Sequence, residues 1–383
     1  MAHCNTVFAQ LLKRVPRHDF ERLAMEHHVG RKLRRTSRWS QFVALMLGQM
    51  AGRQSLRDIE TNMKAQQHRL YHLGARPVAR SSLARLNERQ PYQLYEALFA
   101  RLYARCQHLA PGHGFRFHNK LYSLDASLID LSLRIFPWAH YALGKAAMKL
   151  HVGLDHDGHL PAFAAITAGK TADIELGRTL NFGKGSLVVF DKGYTDYSWF
   201  KQLNAKGIFF VTRLRRNARW RVEARRPVAR SGGLSSDQTI RLTGIKPQKL
   251  ELPPLRRVGY RDPESGRHYE FLTNNFQLAA QTIADIYKQR WQVELFFKWL
   301  KQNLKIKAFL GNSKNAVMTQ IWIALCGCLL LAYLKFSSKL GWSLQKMLRL
   351  LQLNLFMRRD LMALLRDDPP DENIMQGPQL CLV

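Results

Sequence analysis

The run SLVVF, Ser186 to Phe190, constrains the fold of this 383-residue chain more than any other feature. A strand with one wet face alternates polar and apolar residues. A continuous apolar run belongs instead to a central strand covered on both faces, and such cover calls for helices packed on a largely parallel sheet. The run ends in Asp191, with Gly193 two residues on. Ligands of open α/β sheets gather at the carboxyl ends of central strands, so Asp191 is a site candidate. An acid that merely starts a turn or caps the next helix is the plainer alternative.

The surrounding texture extends this reading. KLYSLDASLIDLSL, from Lys120, reads as a strand, and MKLHVGLDHDGHLPAFAAITAG, from Met148, as a hairpin turning at DHDGH. TADIELGRTL reads as a short helix and GIFFVTRL as a further strand. The expected class is therefore α/β. Residues 113–212 would form the first part of the core and residues 271–340 the second. Residues 213–270 interrupt it. From 213 to 267 the chain carries fifteen Arg or Lys against five Asp or Glu, without a long apolar period. That composition predicts a β-rich basic insertion of strands and loops on the surface. Residues 1–112 read as helical and basic, with Ser37 or Ser40, Ser55, and Ser81 or Ser82 as caps. Arginine-bearing short helices fit a helix-turn-helix-like DNA reader as well as a plain bundle with a solvated face. APGHG, Ala110 to Gly114, is the expected linker, and residues 341–383 an amphipathic helical tail.

Charge narrows the partner. A formal net charge of +31 suits a polyanion, of which the phosphate backbone is the commonest. No acylation or prenylation motif supports a membrane partner. The most apolar run, Ile321 to Leu334, falls short of the roughly 20 residues that a spanning helix needs. The N-terminus lacks the pattern of a secretory signal. Cys4, Cys106, Cys326, Cys328 and Cys381 are odd in number and scattered, which predicts reduced thiols in a cytoplasmic protein and no zinc site.

Which other acids could act? Asp125 lies inside the first strand, where a charge is costly unless paired or bound to a cation; Asp130 competes with it. Asp155, Asp157 and Asp173 fit turn and helix-start positions. In YKQRWQVELFFKWLK, from Tyr287 to Lys301, one acid sits among four cations and five aromatic rings. On a continuous helix at 100° per residue, Tyr287, Arg290, Glu294, Lys298 and Lys301 share an arc of about 80°, beside an apolar arc. A solvated face explains the cations. It does not explain a tyrosine and a lone acid in register with them, beside Trp291 and Trp299. Three carboxylates on two strands and a helix suit two Mg²⁺ ions, which take oxygen ligands and clamp the attacking and leaving oxygens of a phosphodiester.

These residues resemble the DDE transposases of bacterial insertion sequences, insertion sequence family four, in the branch marked Tyr-x2-Arg-x3-Glu-x6-Lys. Tyr287, Arg290, Glu294 and Lys301 stand at that spacing. Asp191-Lys192-Gly193-Tyr194 matches the region of the second acid, and LDASLIDLSL with FPWA matches that of the first, which selects Asp125 over Asp130. The resemblance implies an RNase H-like core with a β-rich insertion between the second Asp and the Glu, preceded by a helical DNA-binding domain. It implies Asp125, Asp191 and Glu294 as catalytic, metal-binding acids, with Mg²⁺ or Mn²⁺, two per active site. DNA contacts would fall to Tyr287, Arg290, Trp291, Lys298 and Lys301, with Trp291 stacking on a flipped base. The implied partners are double-stranded terminal inverted repeats, target DNA and a second copy in a synaptic homodimer. An RNase H-like nuclease without strand transfer and a non-catalytic DNA-binding regulator are the alternatives.

Overall fold

A computed structural model describes residues 5–34, 36–142, 145–228, 231–306 and 308–368. The chain divides into two units. One comprises Met1–Pro111, Leu131–Trp138 and Trp299–Val383; the other comprises Gly112–Asp130 and Ala139–Lys298.

The first unit is helical. Its central helix, Lys314–Ser338, extends well beyond the apolar run read in the sequence. By length and composition alone it could cross a membrane, with a mean hydropathy of 2.0 in its most apolar window, yet 94% of that window is buried inside the protein. It packs on the helices Arg38–Met50, Arg80–Arg89 and Gln93–Gln107, and apolar side chains all round are what a core helix needs. Cys106, Cys326 and Cys328 are buried, free thiols; Cys4 and Cys381 lie outside the described residues. Ser37 caps Arg38–Met50 by accepting from the Ser40 N–H, and Ser55 with Asp58 forms a capping box on Leu56–Ala65. Ser81 and Ser82 are not caps. Their helix starts at Arg80, whose N–H donates to Glu60 on the neighbouring helix at 3.0 Å, so no serine is needed there. The tail packs on its own unit. Met347, Leu348 and Leu351 of the helix Leu344–Asn354 are buried, as are Leu361, Leu364 and Leu365 of Leu361–Arg366. Residues 369–383 of the expected tail lie outside the described residues.

Among the described residues, the second unit is built on a ten-stranded sheet. Its strands are β1 (Leu121–Leu131), β2 (His140–Ala142), β3 (Lys145–Asp155), β4 (Leu160–Ala168), β5 (Leu187–Phe190), β6 (Phe209–Arg213), β7 (Trp220–Arg226), β8 (Leu234–Leu242), β9 (Leu255–Arg261) and β10 (His268–Thr273). β3 and β4 form the expected antiparallel hairpin, and β3 neighbours β1. β1 pairs β5 and β5 pairs β6, both in parallel. The order β4-β3-β1-β5-β6 is the RNase H-like core. β5 is covered on both faces, as its residues require. Val188 and Phe190 join a cluster with Leu124, Phe200 and Phe210. Leu187 and Val189 join another, with Leu121, Val211, Ile283 and Ile286.

The basic segment forms strands, as its texture predicts, and they extend the core sheet: β10 pairs β6, and β9, β8 and β7 follow antiparallel. An unpaired β6 edge would have left a row of open backbone groups. One expectation needs correction: Tyr287 to Lys301 is not one continuous helix. Ala280–Gln289 ends, Arg290 forms the junction, and Trp291–Asn303 begins. At the junction the Arg290 N–H donates to Tyr287 O and the Val293 N–H to Arg290 O, both at 3.1 Å. These bonds span three residues rather than four, so one tight turn separates the two helices.

Candidate active site

Leu124 on β1 is in register with Phe190 on β5. One step further along both parallel strands stand Asp125 and Asp191, side by side at the carboxyl end of the sheet. β6 adds the next position: Val211 pairs Val189, which brings Arg213 beside Asp191. Glu294 enters from the helix Trp291–Asn303, directly after the Arg290 junction. Asp130, the rival to Asp125, is exposed at the far end of β1.

The acids are held by guanidinium groups. Arg290 Nη2 donates to Glu294 Oε1 at 2.6 Å, and its Nη1 to Asp125 Oδ2 at 3.4 Å. One planar fork thus spans two acids. Arg213 Nη2 donates to Asp191 Oδ1 at 2.7 Å, and Tyr287 Oη approaches the same oxygen at 3.4 Å. The Tyr287 ring, 9% exposed, lies between the two cations, 5.9 Å from Arg213 and 5.7 Å from Arg290, within cation–π range. Sequence reasoning counted Arg213 only as charge in the insertion. The usable signal was its place at the carboxyl end of IFFVTR, one strand over from Asp191.

This arrangement sets two carboxylates apart. Burial pushes the Asp125 carboxyl up to about 6, aided by the charges of Glu294 and Asp191 and opposed by the Ala126 N–H and Arg290. Burial alone would raise Asp191 too, but Arg213 and the Lys192 N–H hold it below the ordinary carboxylate range. Burial pushes the Tyr287 phenol up to about 12, so it stays a neutral donor.

Do these residues fit a divalent metal? The donor chemistry does, since three carboxylates are hard oxygen ligands. The arrangement does not. Among the described residues no three His, Cys, Asp or Glu side chains converge as a metal site, and guanidinium groups take the oxygens that a cation would need.

Two cavities open beside the acids. One, of about 1250 Å³, is lined by Asp191, Lys192, Arg213, Arg215, Arg216 and Arg267 among others. The other, of about 370 Å³, has the rings of Tyr260, Tyr269, Phe271, Tyr287 and Trp291, with cations at its rim. Trp291 is 56% exposed there. Lys298 is exposed on the Glu294 helix; Lys301 is half-buried and belongs to the helical unit.

A family profile described as "Transposase DDE domain" matches residues 120–331, and one described as a domain of unknown function matches residues 3–76. A protein named as a transposase from Sinorhizobium fredii is 34% identical, covering 75% of this chain and 80% of that one. A protein named as an insertion-sequence transposase from Geobacillus stearothermophilus is 30% identical over 68% of each chain. A solved piggyBac transposase synaptic complex with hairpin DNA aligns over 98% of this chain and 81% of that one, at 14% identity and a TM-score of 0.44.

Proposed function

Since this chain belongs to the transposase family defined by the DDE domain, we propose that Asp125, Asp191 and Glu294 are its catalytic acids. It is a transposase, an enzyme that cleaves DNA and transfers strands, and it depends on divalent metal. One observation supports the assignment: Asp125 and Asp191 stand side by side on β1 and β5, and Arg290 bridges Asp125 to Glu294. Mg²⁺ or Mn²⁺, two per site, is the proposed metal. Once bound, it would supply charge stabilisation at the attacked phosphate.

The chain's own groups do the rest. Arg290, Lys298 and Lys301 hold phosphates, and Tyr287 orients its neighbours as a neutral donor. Trp291, exposed beside an aromatic-lined cavity, stacks on a displaced base; every base presents a π-face to such a platform. The arginines of the larger cavity continue onto the β7–β10 extension, which holds the element end over the acids. Cleavage at the terminal inverted repeats frees a 3′-hydroxyl, and its attack on target DNA exchanges one phosphodiester for another. The reaction takes place in a bacterial cytoplasm, at the nucleoid, in a synaptic homodimer.

The test is incubation of the purified protein with duplexes of its flanking repeats, a target plasmid and Mg²⁺ or Mn²⁺. Joined products dependent on Asp125, Asp191 and Glu294 are expected. Cleavage without joining would point to a nuclease lacking strand transfer, and binding without cleavage to a DNA-binding regulator.

A further inference from the structure

We propose that Arg290 makes metal loading depend on DNA: its guanidinium occupies the space between Asp125 and Glu294 until a backbone phosphate draws it away. The inference rests on the proposed role of these acids. Arg290 reaches Glu294 at 2.6 Å and Asp125 at 3.4 Å from the two prongs of one fork, and its side chain is only 12% exposed. A guanidinium stays charged at any working pH. Arg213 places a second cation on Asp191, so three carboxylates face two fixed positive charges. A divalent ion entering this group meets like charge at short range, where repulsion is strongest, and finds the bridging oxygens taken.

DNA reverses the balance. Arg290 Nε is buried without a hydrogen-bond partner, so the fork has a donor to spare. A phosphate accepting from Nε and one Nη forms the two-pronged contact that guanidinium favours. Swinging from acids to phosphate thus gains Arg290 a partner while it exposes the carboxylate oxygens. Its position at the one-residue junction between two helices lets the side chain re-aim without unwinding either. The order of assembly follows: DNA first, metal second.

The test measures Mn²⁺ binding to the full-length protein by the EPR signal of free Mn²⁺, with and without a duplex of the repeat flanking its gene. The Asp125→Asn complex corrects for Mn²⁺ held by DNA itself. The duplex is expected to tighten Mn²⁺ binding about tenfold or more, within the usual range of site-to-site coupling. Arg290→Gln should give the DNA-free protein a similar gain and leave the duplex little to add, with Arg290→Lys in between. Equal Mn²⁺ affinity in DNA-free wild type and Arg290→Gln overturns the proposal. Should that variant not fold, the wild-type comparison decides, and an unchanged affinity on adding duplex is equally fatal. Mn²⁺ binding that survives both Asp125→Asn and Glu294→Gln overturns the assignment of the acids themselves, and this inference with it.

Discussion

Asp125 and Asp191 stand side by side on parallel strands, yet their surroundings push them in opposite directions. Arg213 and a backbone N–H favour the charged form of Asp191, whereas burial opposes that of Asp125. A carboxyl raised in the folded state contributes stability below its unfolded pKa and loses it as pH rises through the folded value. In the metal-free protein, Asp125→Asn should therefore leave stability unchanged below about pH 4. It should raise stability progressively up to about pH 6 and keep the gain above, by at most roughly 3 kcal/mol for a shift of about two units. Thermal melts across that range in EDTA check this, and a variant destabilised at pH 7 would contradict it. Glu294→Gln should abolish cleavage while end binding changes by less than about threefold, because affinity comes from many distributed cations. Gel cleavage and binding assays on one preparation separate the two. Asp191 was legible as a candidate because a charge ending an apolar strand is conspicuous; Asp125 was set above Asp130 only by the resemblance of LDASLIDLSL and FPWA to the family's first-acid region. The Arg290–Glu294 half of the bridge lay within reach of the helical wheel, but the Asp125 half was not legible, because it joins residues 165 positions apart.

At the scale of elements, the four strands after β6 show what sequence texture reveals and what it hides. Their β-rich character and charge were readable. Their continuity with the core was not, because pairing between β6 and β10 joins segments some sixty residues apart. One buried pair ties this extension down. Arg256 on β9 grips Asp237 on β8 with two hydrogen bonds, at 2.8 and 2.7 Å. It also donates to the carbonyls of Asn275 and Leu278 after β10. The two side chains are 3% and 5% exposed. Removing one partner strands a buried charge, so Asp237→Ala should cost about 3–5 kcal/mol in urea unfolding. Glu223→Ala on β7, which frees the partly exposed Arg241 on β8, should cost no more than about 1 kcal/mol. Equal losses would show that burial does not set the value of these pairs.

Over the whole molecule, the charge of +31 must be read by position. Arg215 and Arg216 line the larger cavity beside Asp191, and Arg225 is exposed at the end of β7. Neutralising these three together with Arg226 should flatten the log–log salt dependence of end binding, by about 0.9 for each phosphate that the protein no longer neutralises. An unchanged slope would place the DNA elsewhere. The helical unit differs in its chain order. It is assembled from three separate stretches of sequence. Its first helix, Val7–Leu12, is reached from the far end of the chain: the N–H groups of Val7 and Phe8 donate to the carbonyls of Met357 and Leu355. During synthesis these two N–H groups find their acceptors only after residue 357 has left the ribosome. A message cut short before residue 344 would therefore release a chain in which the N–H groups of Val7 and Phe8 lack these acceptors and the face that Met347, Leu348 and Leu351 cover is bare, an opening for proteases.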